Sequence, residues 1–182
     1  MFAQLDTKSV YSFMDSVVDL NSYVARAKEL GYQALGLMDR DNLYAAYHFA
    51  QLASRNGLRP LIGMEANLFY EGRKIPFRLL AKNNQGYKNL MKLATELSSG
   101  QHEFTAFSDY LNAIALILPS EDWEPRMTLG SEVFIGVRPE DAGKEFDYPV
   151  VPLHTVRYFE NSDRSTIQML HAISQNVSLS EA

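Results

Sequence analysis

A chain of 182 residues, 46% hydrophobic and 21% charged, has an ordinary globular composition and enough length to bury a core. Its net charge of −5 excludes a strong uniform positive field for gripping nucleic acid, leaving room only for a local basic stripe. The absence of cysteine excludes disulfide frameworks and thiolate metal sites, so an intracellular compartment is expected.

Asp6 and Lys8 stand where a signal peptide would need an apolar run. Apolar stretches such as Ala113–Leu118 are too short to cross a bilayer. A cytoplasmic protein, or a piece of one, with no membrane partner is the expectation.

In chain order, a short strand is expected near Leu5. Asn21 or Ser22 then caps a helix carrying Val24, Ala27 and Leu30 on one side, and Gly31 supplies a left-handed stop. Ala34–Met38 reads as a buried strand ending at Asp39. Asp41 or Asn42 opens a second helix with Leu43, Ala46, Tyr47, Ala50 and Ala53 at helical spacing, closed by Asn56-Gly57. Tyr44, Tyr47 and Phe49 on that helix could offer a stacking surface for single strands, but beside alanines their spacing points to core and rim packing.

Pro60–Phe69 alternates Ile62, Met64, Ala66 and Leu68 on one strand face, Glu71-Gly72 turns, and Ile75–Ala81 returns as the hairpin partner. A helix from Gln85 to Leu97 ends at Ser98-Ser99-Gly100. Ala113–Leu118 and Val133–Val137 read as buried strands separated by a loop containing Pro, Glu and Trp. Tyr148–Leu153 is another strand, and Asn161 or Ser162 caps a last helix with Ile167, Leu170, His171 and Ile173. The close at 178–182 carries no stop signal, as if a longer polypeptide continued. Strands separated by helices argue for an α/β fold with largely parallel strands, whose reacting groups sit at strand C-terminal ends. That rule singles out Asp6, Asp39 and Glu65.

Three stretches, with a fourth near the C-terminus, carry a family signal. Phe2–Asp15 reads FAQLDTKSVYSFMD, Gly31–Ala45 reads GYQALGLMDRDNLYA, and the region from Gly57 to Leu90 opens with GLRPLIGMEANL and closes within LLAKNNQGYKNLMKL. Later, His154-Thr155-Val156-Arg157-Tyr158 precedes NSDRSTIQMLHAI. Taken together they resemble the N-terminal PHP (polymerase and histidinol phosphatase) domain of bacterial DNA polymerase III alpha subunits, C-family replicative polymerases of the Gram-positive type. The resemblance runs from Met1 to about Gln175, weakly between Gln101 and Lys144, and implies one PHP-type domain over 1–182. It also implies a distorted, incomplete (β/α) barrel, helices outside and a former active-site cleft at the strand ends.

The family's metal centre rests on histidines that are missing here. Its opening H-x-H pair and third histidine correspond to Gln4, Asp6 and Lys8, with Tyr11-Ser12 kept. Its Asp-His pair corresponds to Asp39 and Arg40, with Asn42-Leu43 kept, and its metal-binding glutamate to Glu65. A further histidine is replaced at Pro76 or its neighbour Phe77, and a late Asp and His by Thr155 and Arg157. Protonated Lys and Arg repel a metal ion, so Lys8, Arg40 and Arg157 are expected to neutralise Asp6, Asp39 and Glu65 in a salt-bridge cluster. A weak Mg²⁺ site on those three carboxylates is the alternative. No catalytic residue and no cofactor are expected in these 182 residues; Mg²⁺ belongs to the palm domain of the parent polymerase.

Among the histidines, His48 suits a surface or packing role, His102 a solvent-exposed loop and His171 a satisfied half-buried position. His154, within the last motif, is the one candidate for function. No G-x-S-x-G and no phosphate-cradling glycine loop is present.

The resemblance implies a non-catalytic structural and interaction module of a DNA-directed DNA polymerase (a nucleotidyltransferase) acting in DNA replication. Its partners would be the remainder of the alpha subunit and other replisome components, such as an exonuclease subunit, with weak or absent DNA contact. A residual metal-dependent phosphoesterase, a 3′–5′ exonuclease or a pyrophosphatase, is the alternative.

Overall fold

The computed structural model describes residues 3–100, 102–120 and 132–180. Within them the alternating signals become seven strands and four α-helices, an α/β arrangement as expected. The chain divides into two compact units, residues 1–40, 44–61 and 155–182 in one, 41–43 and 62–154 in the other.

In the first unit, β1 (Ala3–Gln4) lies parallel to β2 (Ala34–Arg40), with Ala3 opposite Ala34 and Gln4 opposite Leu35. β2 is buried through Asp39, which suits its apolar run. At Gly36 any Cβ would run into the Leu5 carbonyl, so this strand position admits glycine alone. Helix α1 (Leu20–Glu29) is capped by Asp19, whose carboxylate accepts from the Ser22 amide; the expected caps Asn21 and Ser22 are themselves helical. That amide bond holds the Asp19 carboxyl below its ordinary value. Its buried face is Leu20, Tyr23, Val24 and Ala27, whereas Leu30 falls past the helix end and is exposed.

Helix α2 (Ala46–Arg55) begins later than Asp41 or Asn42 and has no side-chain cap. Asp41 instead takes a left-handed backbone. The face of α2 that packs is Ala46, Phe49 and Ala53, with Phe49 stacked on Tyr23 at 5.9 Å. Tyr44 and Tyr47, expected to pack, are 79% and 70% exposed. Helix α4 (Arg164–Gln175) follows a 3-10 turn over Asn161–Asp163, so neither Asn161 nor Ser162 is its cap. It buries Ile167 and Ala172 and leaves Ile173 exposed.

The second unit is built on β3 (Arg59–Tyr70), whose first three residues belong to the first unit. Glu71 and Gly72 both take positive φ, the geometry of a two-residue hairpin turn. Such a turn can only return the chain antiparallel, and β4 (Arg73–Ala81) does so over eight paired positions. Pro76 opposes Asn67, beyond the stretch where β4 pairs its other neighbour, so its missing N–H costs no ladder bond there.

β5 (Ile114–Pro119) is also antiparallel to β4, while β6 (Glu132–Val137) and β7 (Val150–Pro152) add in parallel. The strands are therefore mixed, not largely parallel. Helix α3 (Asn84–Leu97) is capped by the Asn83 side chain, which accepts from the Gln85 and Gly86 amides. Sequence periodicity gave no sign of the seven-residue 3-10 helix at Phe104–Tyr110, which drops Phe104 onto Phe77 at 4.2 Å. Met64, Ala66, Leu68, Phe77, Leu79, Leu116 and Leu118 form the heart of this unit's core. The Trp-containing loop read between β5 and β6 lies largely outside the described residues. Among the described residues no helix is long and apolar enough to cross a membrane.

Candidate functional site

The residues that follow β1 are held between two other stretches of the first unit. The Met38 amide donates to the Thr7 carbonyl, the Lys8 amide to Val156, and the Val156 amide back to Asp6. This backbone lacing buries Asp6, Thr7, Lys8 and Ser9 completely. It brings Gln4, Asp6, Lys8, Asp39, Arg40, Thr155 and Arg157 within one unit, seven of the nine positions that the sequence motifs marked.

Lys8 and Asp6 form an ion pair, Nζ to Oδ1 at 2.8 Å, with both side chains shut off from solvent. The same ammonium donates to the Met38 carbonyl at 2.7 Å, and Thr155 Oγ1 donates to Asp6 Oδ2 at 2.7 Å. Gln4 Nε2 donates to the Asp6 carbonyl at 3.1 Å, a backbone contact rather than a ligand's pose. Both oxygens of Asp6 thus face donors, and one donor is a protein cation.

Asp39, expected to be neutralised by an arginine or lysine, is satisfied differently. Its carboxylate accepts from the Ser9 amide, the Ser9 hydroxyl and the Ser12 hydroxyl, each at 2.7 Å. Ser12 also accepts from the Arg40 amide at 3.1 Å, so one hydroxyl ties the strand end to the loop. Three short donors around one buried carboxylate stabilise its charge without a counter-ion.

Arg40 and Arg157 converge instead on Asp15, which the sequence reading passed over although it closes the first motif. Arg40 Nη2 lies 2.8 Å from Asp15 Oδ2 and Arg157 Nε 2.9 Å from Oδ1. His171 Nε2 approaches Oδ1 at 3.2 Å. The Asp15 side chain is 4% exposed, the Arg40 and Arg157 side chains 40% and 30%. Ser16, also missed, donates to the Lys8 and Arg157 carbonyls. The signal available for both was their place at the end of the first motif, Phe2–Asp15, and directly after it.

Glu65 and Pro76 belong to the second unit. Glu65 is buried with Arg78 Nη2 3.4 Å from its Oε2, a cation outside the three expected. Arg78 also donates to the Pro76 carbonyl, and Phe77, not Pro76, enters the core. In the same unit Asp41 accepts from the Asn67 amide and side chain.

The remaining histidines carry no cluster. His48 and His154 are exposed, and His102 is half-buried, its Nε2 within hydrogen-bond distance of the Glu96 carbonyl and the Ser99 hydroxyl. Among the described residues no three His, Asp or Glu side chains gather into a metal-binding group. The chemistry of the donors gives the reason: Asp6 is engaged by an ammonium, Asp39 by two hydroxyls and an amide. The residues present do not fit a family-type metal centre.

The family model for the PHP domain matches residues 4–129, and the chain belongs to that family. Its fold is α/β of the PHP type. The chain is 46% identical over its whole length to DNA polymerase III subunit alpha of Streptococcus pyogenes serotype M1, of which it spans 18%. Over 66% of its length it is 33% identical to the subunit of the same description in Bacillus subtilis (strain 168), covering 11% of it. A solved amidohydrolase from Chromobacterium violaceum matches 54% of this chain and 34% of its own, at 19% identity and a TM-score of 0.46.

Proposed function

We propose that this domain is a non-catalytic PHP module of a cytoplasmic replicative DNA polymerase of the DNA polymerase III alpha type. In that reading it stabilises the polymerase and offers surface to other replisome subunits, while nucleotide transfer and its Mg²⁺ belong to a palm domain elsewhere. The observation that carries the proposal is the buried Lys8 ammonium, 2.8 Å from Asp6 and 2.7 Å from the Met38 carbonyl. A fixed protein cation there supplies the charge that a bound metal would otherwise bring, and repels a second one. The likeness to alpha subunits over the full chain supports the polymerase assignment.

The test is metal content together with melting in EDTA and in added Zn²⁺, Mn²⁺, Fe²⁺ and Mg²⁺. The expected result is metal-free protein whose Tm shifts by less than about 1 °C in every condition. A site binding metal at a hundredfold excess over its Kd would add about 2.7 kcal/mol, several degrees for a chain of this size. Such a shift, or metal-dependent hydrolysis lost in Asp39→Ala, would overturn the reading in favour of a phosphoesterase. For the polymerase role, a parent enzyme lacking residues 1–182 is expected to be unstable or poorly active.

A further inference from the structure

We propose that Asn56-Gly57 is a site of spontaneous backbone modification, held shut by the cap of α2 and released whenever that helix end unwinds. It is the one Asn-Gly pair in the sequence. Glycine has no side chain to shield its amide, so that nitrogen can attack the preceding asparagine side chain. The Gly57 amide gives its proton to hydroxide and bonds to Asn56 Cγ. The Cγ–Nδ2 bond breaks, and the leaving group takes a proton from water and departs as ammonia. Water then opens the cyclic imide at either carbonyl, leaving aspartate or its isomer linked through the β-carboxyl.

The native cap opposes this attack in three ways. Gly57 takes a φ of 76°, its amide donates to the Ser54 carbonyl at 3.0 Å, and the Leu58 amide donates to Ala53 at 3.0 Å. Those two bonds are the paired closure that ends many helices at a left-handed glycine, and they engage the attacking nitrogen as a donor. The Asn56 side chain is drawn back along the helix, Nδ2 donating to the Leu52 carbonyl at 2.9 Å. At a ψ of 9° the Gly57 nitrogen is also turned away from Asn56 Cβ, and ring closure needs a wide rotation about that bond. The glycine that stops the helix is thus the one that makes its neighbour reactive. The cap both requires the pair and restrains it.

Modification turns a passing opening into a lasting one. A carboxylate at position 56 cannot donate to Leu52, and its charge sits at a helix C-terminus, where the dipole disfavours it. The β-linked isomer also lengthens the main chain by one methylene between α2 and β3. Phe49 of α2 stacks on Tyr23 at 5.9 Å, and the Tyr23 hydroxyl bridges Thr7 and Gly36 at 2.9 Å each. Two rings therefore connect the loosened helix to the stretch that encloses Lys8.

The test incubates the 182-residue chain and a peptide spanning residues 50–62 in one mildly alkaline buffer, following the mass of Asn56 by peptide mapping. Asn56 in the folded chain is expected to react about thirtyfold more slowly than in the peptide, the factor that two ordinary hydrogen bonds impose. Protection of the Gly57 amide from hydrogen exchange should match that ratio to within about threefold, because one opening frees the nitrogen for both. Ala50→Gly weakens α2 upstream of the pair and should raise the folded-state rate about fivefold, leaving the peptide rate unchanged. Asn56→Asp should lower the Tm by about 2–4 °C. An unreactive peptide, or chain and peptide rates within about twofold of each other, would overturn the proposal. So would an Ala50→Gly chain no faster than wild type, an unprotected Gly57 amide beside an unreactive Asn56, or an Asn56→Asp chain melting no lower than wild type.

Discussion

Lys8→Met is expected to destabilise the protein by about 3–5 kcal/mol, a large part of a typical domain's whole stability. The substitution removes the ammonium from the fully buried Asp6 carboxylate, to which Thr155 still donates, and from the Met38 carbonyl. An uncompensated buried charge is the costly state, not the absence of the pair. The double variant Asp6→Leu/Lys8→Met should therefore be more stable than Lys8→Met alone by about 2 kcal/mol or more. Some deficit remains, because the buried Met38 carbonyl has lost its charged donor. Urea unfolding of wild type, both singles and the double closes the cycle. Equal losses in Lys8→Met and in the double variant would show that Asp6 does not depend on Lys8.

Asp39→Ala should cost about 3–4 kcal/mol, for a different reason. No counter-ion is orphaned. The Ser9 amide and two buried hydroxyls instead lose one shared acceptor, and a buried donor left unmade costs about 1–3 kcal/mol. Serine hydroxyls can rotate toward other acceptors, but the Ser9 amide cannot, so its lost bond is the largest single share of the cost and the two hydroxyls supply the rest. Asp39→Asn keeps an acceptor but loses the charge and should cost about half as much. If denaturant midpoints for Asp39→Ala and wild type coincide, the three bonds add nothing to stability.

The elements legible in the sequence were those set by local rules. β2 announced itself by an unbroken apolar run, the β3–β4 hairpin by Glu71-Gly72, and α3 by its apolar period and the serines after it. The misreadings came where several local partners were chemically equal. Asp19, Asn21 and Ser22 can each cap a helix, and only the position of Leu20 in the core decides for Asp19. The start of α2 slipped because Asp41 uses its carboxylate on Asn67, an acceptor role that cap rules cannot anticipate.

The site was legible to the same extent. The motifs marked the positions, and seven of the nine lie within one unit. Charge matching holds for Lys8 and Asp6 but did not anticipate Asp15 as the carboxylate of Arg40 and Arg157, because it counts cations and carboxylates without regard to hydroxyls. Ser9 and Ser12 satisfy Asp39, which releases Arg40 and Arg157 to Asp15. Polar pairing over more than 140 positions, as between Arg157 and Asp15, leaves no local trace in a single sequence.

The lacing of residues 6–8 to Val156 also fixes an order of events in time. Thr155, the donor to Asp6, lies 149 positions downstream, so at about 5–20 residues per second it is made roughly 7–30 s later. Residues 62–154 form a single continuous run and meet no such delay. Nascent chains halted before Thr155 should resist protease across that run and be cut within the first 40 residues. Until the ribosome has passed Arg157, the segment around Asp6 and Lys8 has only half its walls, and residues made more than a hundred positions later close around those made first.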